Sequence, residues 1–181
     1  PGSSSPGVFT LRTVDDAEAI RKKTRGAKKA VVIGGGLLGL EAGNGLRKSG
    51  LEVSVVEFSP RLLPRQTDIP GAALLQRQME EMGFRFYLGA KTKEILAEKG
   101  GLRVILEGGG DLPADLVLIS AGVRPEVSLA QSLGLPVDKG IKVDDHLFTG
   151  LEGIYAAGDL VEHRGRSYGI WPASMEQGRA A

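Results

Sequence analysis

The chain has 181 residues, a formal net charge of +1, 41% hydrophobic and 25% charged residues, and no cysteine. That is enough sequence to bury a real core in one or two domains. The near-zero charge gives no general pull toward nucleic acid or a membrane surface, and the missing thiols exclude disulfides, thiolate metal sites and a redox CxxC within these residues.

Residues 1–7 (PGSSSPG) read as a loop. Val8–Thr13 is a short extended segment. Val14–Thr24 reads as a helix, with Asp15 or Asp16 near its start and Arg21, Lys22 and Lys23 at its end, as the helix dipole prefers. The basic run from Arg21 to Lys29 is read as a solvated helix end. Ala30–Ile33 is apolar without alternation, the mark of a strand covered on both faces. A helix follows the glycines at 34–36 and stops near Gly50. Glu52–Glu57 is a second strand. Asp68–Met82 is a second helix, with Asp68 as cap, Pro70 in the first turn and Gly83 beyond the end. Phe84–Leu88 is a third strand, so the order is β-α-β-α-β, half of a doubly wound sheet.

The pattern then changes. Thr92–Glu98, Leu102–Glu107 and the stretch from Leu112 are short β runs parted by Gly100–Gly101 and Gly108–Gly110, which predicts an antiparallel meander. Asp115–Ser120, Ile141–Val143 and Ile154–Ala156 are three further strands. Pro172 onward opens a helix that is still running at the last residue, which suggests a fragment. The fold class expected is α/β: a Rossmann-type parallel sheet with an antiparallel β-meander, in three ββα layers.

One motif carries chemistry. Gly34-Gly35-Gly36-Leu37-Leu38-Gly39 fits G-x-G-x-x-G, with an apolar strand before it, a helix after it and an acid, Glu57, eighteen residues beyond Gly39. Gly34 permits the sharp turn, Gly36 lets a diphosphate approach the backbone, and Gly39 lets helix and strand pack closely. The amides of Gly36, Leu37 and Leu38 then face the phosphates at a helix N-terminus. Glu57 accepts the adenosine ribose hydroxyls and repels a 2′-phosphate, which favours NAD over NADP. Arg61 and Arg65 blur that choice: one of them could pair a 2′-phosphate, or Arg65 could contact the adenosine end, while Arg61 reads as a solvated loop arginine. His146 and His163 are too few for a metal site, and no apolar run is long enough to span a membrane. No signal peptide is visible, and a cytoplasmic chain is the expectation.

VVIGGGLLGLEAG, VSVVEFSPRLLPRQTD, ISAGVRP, TGLEGIYAAGD and IWPASMEQGRAA, with the opening VFTLRTVDDAEAI, together resemble the pyridine nucleotide–disulfide oxidoreductase superfamily. The branch holding NADH:rubredoxin reductases, NADH oxidases and nitrite reductase large subunits is the most similar. The resemblance implies an NAD-binding domain at 25–148, between pieces of an FAD-binding domain at 1–24 and 149–181. It implies that Asp159, after Gly158 and at the end of a strand over Ile154–Ala157, bonds the flavin ribityl chain. Trp171 and Pro172 would lie near the flavin ring. Ala121, Gly122 and Val123 would line the NAD cleft, and Glu41 would sit near the nicotinamide.

Gly43 departs from the alanine usual there. A second G-x-G-x-x-G, for the FAD diphosphate, is absent, as is a C-terminal interface domain. This fragment is therefore expected to bind NAD(H) weakly and FAD poorly, and to turn over little. In an intact parent, hydride passes from NADH to FAD. With no cysteine present, electrons then go to rubredoxin, an iron–sulfur or haem module, or oxygen, and no side chain here need act as a catalytic acid or base. A non-catalytic dinucleotide-binding regulatory module is the alternative. A flavin-free dehydrogenase would need a catalytic Lys, His or Tyr constellation after the third strand, and none is visible.

Overall fold

The computed structural model describes residues 1–181 and divides them into two compact units, Pro1–Gly122 and Val123–Ala181. The first unit is built on a five-stranded parallel sheet. Its strands are β1 (Val8–Phe9), β2 (Lys29–Ile33), β3 (Glu52–Glu57), β4 (Phe84–Leu88) and β8 (Leu116–Ile119). The order across the sheet is β1-β8-β2-β3-β4. From β2 the chain moves outward through β3 to β4, then returns to place β8 on the other side of β2. The strand order therefore reverses at β2, and a crevice opens beyond the carboxyl ends of strands at such a point.

Strict alternation builds the layers. On β2, Ala30 and Val32 face one way and Val31 the other; Val53 and Val55 oppose Val56 on β3; Leu116 and Leu118 oppose Val117 on β8. The first set packs on α1 (Val14–Thr24), α2 (Leu37–Lys48) and α3 (Ile69–Glu81), through Ile20, Leu40, Leu46 and Met79. The second set packs on an antiparallel sheet of β5 (Thr92–Glu98), β6 (Gly101–Leu106) and β7 (Asp111–Ala114), through Ile95, Leu102, Val104 and Leu112. The three ββα layers are as expected.

Helix starts follow local chemistry. Asp15 and Asp16 lie in the first turn of α1, as expected, and Thr13 caps it: its hydroxyl accepts the Asp16 N–H at 3.1 Å, and the Asp16 carboxylate accepts the Thr13 N–H at 2.9 Å. Asp68 caps α3 by accepting the Gly71 N–H at 2.8 Å. The Asp115 carboxylate ties β8 to the start of β2 by accepting the Lys28 and Lys29 N–H groups at 2.7 and 2.9 Å. These bonds, Lys28 first, hold its carboxyl below the ordinary aspartate range.

The second unit holds α4 (Ser128–Ser132), a parallel pair of β9 (Ile141–Val143) and β10 (Val161–His163), and α5 (Trp171–Ala180). The strand expected over Ile154–Ala156 is not formed. Tyr155 makes one isolated antiparallel bridge to Phe148, and the Thr149 hydroxyl donates to the Ile154 carbonyl at 2.8 Å. With no neighbouring strand to extend the ladder, the segment stays irregular between Gly153 and Gly158, both at positive φ. The strand that does pair with β9 is β10, where the buried Glu162 carboxylate accepts the Lys139 N–H at 2.8 Å. No helix is long and apolar enough to cross a membrane.

Two predictions follow from packing and charge. Leu118→Ala, on the centre of the sheet and 1% exposed, lowers the unfolding free energy by about 3 kcal/mol, read by denaturant titration. In the second unit Asp145 bridges Arg164 and His163, which in that order hold its carboxyl down at about 2 against an ordinary 3.8. A depressed carboxyl stabilises above its unfolded value and loses that contribution as pH falls through its folded value. Asp145→Asn should therefore lower the melting temperature at pH 7, and the gap to the parent chain should narrow between pH 4 and pH 2.

Candidate functional site

The carboxyl end of β2 turns through three glycines into α2. Gly34 has φ +118, a conformation that only glycine adopts without strain. A Cβ there would lie 2.2 Å from the Ser120 carbonyl oxygen and 3.4 Å from the Ala121 nitrogen. A Cβ on Gly39 would lie 2.1 Å from the Gly34 carbonyl oxygen. Two glycines thus let three backbones meet: the end of β2, the first turn of α2 and the segment leaving β8. A Cβ on Gly36, by contrast, would meet nothing within 4 Å.

Gly36 is the N-cap of α2, in extended conformation, and it supplies no side-chain acceptor. The N–H groups at the start of a helix have no partner within it. Those of Gly36, Leu37 and Leu38 therefore face an open side of the turn, and Leu37 and Leu38 are 50% and 63% exposed. The partial positive charge of the helix end lies in the same place. Such a surface can hold an anion without a basic side chain.

Glu57 ends β3 beside this turn. Its two carboxylate oxygens accept the Gly35 N–H at 2.6 Å and the Ser59 N–H at 2.7 Å. Gly35, buried under Glu57 and the fully buried Leu62, was not singled out by the motif. The run of three glycines was its only signal. Arg65 is exposed in the loop after β3. Arg61 is not a solvated arginine: it is half-buried and donates to the Pro64 carbonyl at 3.0 Å. Glu41 is exposed on α2, and Ala121 and Gly122 close the first unit on its exposed surface. Gly43 packs on Phe84, whose Cε1 would lie 3.2 Å from an added Cβ.

Val123, 63% exposed, opens the second unit. There Gly158 and Asp159 face the first turns of α5. The Ser174 hydroxyl donates to the Asp159 carboxylate at 3.1 Å, and the Gly158 N–H donates to the Gln177 side-chain oxygen at 2.8 Å. Sequence reading missed Ser174 and Gln177, although their i, i+3 spacing puts them on one helix face. Trp171, at the start of α5, is 74% exposed and packs in no core. No group of three His, Asp or Glu side chains is placed to hold a metal.

The sequence profile of the pyridine nucleotide-disulphide oxidoreductases matches residues 1–178. The chain belongs to this family. It is 39% identical over 179 residues to the nitrite reductase [NAD(P)H] of Bacillus subtilis, covering 99% of this chain and 22% of that protein. It is 36% identical over 169 residues to the rubredoxin-NAD(+) reductase of Ectopseudomonas oleovorans, covering 93% of this chain and 44% of that one. Among solved structures, the ferredoxin reductase of Rhodopseudomonas palustris matches with a TM-score of 0.92 at 35% identity, over 99% of this chain and 46% of the other. A NAD-dependent persulfide reductase of A. fulgidus matches with a TM-score of 0.94 at 32% identity, over 99% and 35%. The chain thus spans less than half the length of these relatives.

The turn's geometry makes a paired prediction. Gly39→Ala drives a methyl into backbone and should cost about 2 kcal/mol or more of stability. Gly45→Ala, on the same helix with open space around it, should gain up to about 1 kcal/mol. Thermal and denaturant unfolding of the two variants would show opposite signs.

Proposed function

We propose that this chain binds a nicotinamide dinucleotide, NAD(H) in preference to NADP(H), as part of an FAD-dependent oxidoreductase. The observation that carries the reading is the open amide surface at the start of α2, beside the carboxylate of Glu57. A dinucleotide fits it: the diphosphate needs donors without bulk, and the sugar needs a fixed acceptor. In this reading Gly34, Gly36, Leu37, Leu38 and Gly39 hold the diphosphate. Glu57 accepts the adenosine ribose and Arg65 meets the adenosine end. Glu41 and Ala121, Gly122 and Val123 serve the nicotinamide side.

Residues 25–148 form the NAD-binding domain, and 1–24 and 149–181 belong to the FAD-binding part. Asp159 fits a flavin side chain that carries hydroxyls, since the Ser174 hydroxyl is its single protein partner and the residue is exposed. The Gly158 N–H is held by Gln177, which fixes the turn that presents Asp159. Trp171 offers an exposed apolar plane for the flavin ring. When bound, the cofactors supply hydride transfer from reduced nicotinamide to flavin, with electrons passing on to a rubredoxin-like, iron–sulfur or haem partner or another acceptor. The chain's own work is to bind and align. A cytoplasmic setting without nucleic acid or membrane belongs to the same proposal.

Calorimetric titration of the 181-residue chain with NADH and NADPH tests this. NADH should bind about tenfold more tightly than NADPH, because a 2′-phosphate would face the Glu57 carboxylate. Absence of binding by both at millimolar concentration overturns the reading; tighter binding of NADPH overturns the assignment of Glu57.

A further inference from the structure

We infer that Glu57 is a positioning residue for the diphosphate grip: it pins Gly35, and so holds the amides of Gly36, Leu37 and Leu38 open. This rests on the dinucleotide reading above and adds a role beyond contact with a sugar.

The two oxygens of the Glu57 carboxylate face the main chain. Both are already engaged by backbone donors, Oε2 by the Gly35 N–H at 2.6 Å and Oε1 by the Ser59 N–H at 2.7 Å. Hydrogen bonds to an ionised acceptor are short and roughly twice as strong as neutral ones. Gly35 is also held elsewhere. Its carbonyl accepts the Leu63 N–H at 3.4 Å, and its Cβ-less face lies against Glu57 and Leu62. Leu62 is fully buried, so the loop after β3 cannot drift away from the turn without exposing it.

The neighbouring residues complete the clamp. Gly34 donates its N–H to the Val56 carbonyl at 2.8 Å, and the Leu40 N–H takes the Gly36 carbonyl at 3.0 Å to begin the helix. The turn is therefore fixed at both ends and, through Glu57, in the middle. What is left over is the set of amides on the open side of Gly36. If Gly35 were free to rotate, its own N–H would compete with them for direction, and their alignment would have to be bought from binding energy.

Each carboxylate oxygen keeps a lone pair after these bonds, so a sugar hydroxyl can still be accepted. The two roles are separable by chemistry. A role through the ribose vanishes when both the 2′- and 3′-hydroxyls of the adenosine ribose are removed from the ligand. A role through Gly35 does not. Glutamine keeps the size but offers one acceptor and one NH2 group, so either Gly35 or Ser59 would face a donor. Aspartate keeps the charge but falls one methylene short.

The test uses the 181-residue chain and its Glu57→Gln and Glu57→Asp variants. NADH and an NADH analogue lacking the adenosine 2′- and 3′-hydroxyls are titrated by calorimetry. Amide hydrogen exchange at Gly35 is followed by NMR without nucleotide. Both variants should lose about tenfold in affinity for NADH. They should still lose at least threefold for the dideoxy analogue, the remainder of the penalty being the sugar contact, and the Gly35 amide should exchange faster in the free variants. A variant penalty that vanishes with the dideoxy analogue, or Gly35 exchange unchanged by either substitution, overturns the proposal. If the unsubstituted chain binds neither nucleotide, the dinucleotide reading falls and this role falls with it, whereas the exchange data still report whether the Gly35 clamp exists. Should Glu57→Gln fail to fold, Glu57→Asp carries the comparison alone.

Discussion

Three stretches of main chain meet where β2 ends, and no side chain could stand between them. The carbonyl oxygens of Ser120 and Gly34 occupy the places that the Cβ atoms of Gly34 and Gly39 would take, at 2.2 and 2.1 Å. This close approach decides where α2 begins and therefore where its unpartnered amides point. It also ties the end of β8 to the turn, so the loop leaving β8 is fixed beside the same opening. Gly36 is the complementary case. Its missing side chain faces nothing, and open space next to a helix start is what an anion needs.

The layers beneath explain why that end of the sheet stays accessible. Each central strand sends alternate residues into two separate apolar clusters, one under the helices and one under the meander. Both faces are consumed by packing, and only the strand ends remain for chemistry. The order β1-β8-β2-β3-β4 then makes one end special, because the strand order reverses at β2. A surface depression of about 340 Å³ lies instead near Lys28, Lys29, Lys99 and Asp115, at the opposite end of β2. Concavity alone points away from the glycine turn. Unpartnered donors and a poised carboxylate are the better guide.

Much of this was legible in the residues. The Asp68 cap of α3 depends on a contact three residues away and leaves a local signature, and the G-x-G-x-x-G turn with the acid ending the next strand shows as a fixed spacing around an apolar strand. The meander was equally readable from its Gly-rich turns. Two kinds of feature were not. Ile154–Ala156 has the composition of a strand, but a strand exists only with a neighbour, and pairing is a property of the whole unit. Val161–His163 was missed for the converse reason: Glu162 looks out of place in a buried strand until its carboxylate is found on the amides of Lys139 and Gly140. The five-residue α4 is too short to show a period.

The acids at 57, 159 and 162 show why residue type alone underdetermines role. All are carboxylates close to the end of a strand or next to a glycine turn. Glu162 is buried with both backbone donors on one oxygen, and its work is to close the second unit. Asp159 is exposed and shares only a serine hydroxyl, so most of its accepting capacity is free for a ligand. Glu57 stands between these limits. It is half-buried, spends one bond from each oxygen on the backbone, and still has lone pairs facing the crevice. A carboxylate so placed links the rigidity of the turn to the identity of what binds there. In the dinucleotide reading, exchanging it for another residue would alter the shape of the anion surface as well as the choice between two nucleotides, and a redesign of cofactor preference would have to supply a new partner for the Gly35 amide.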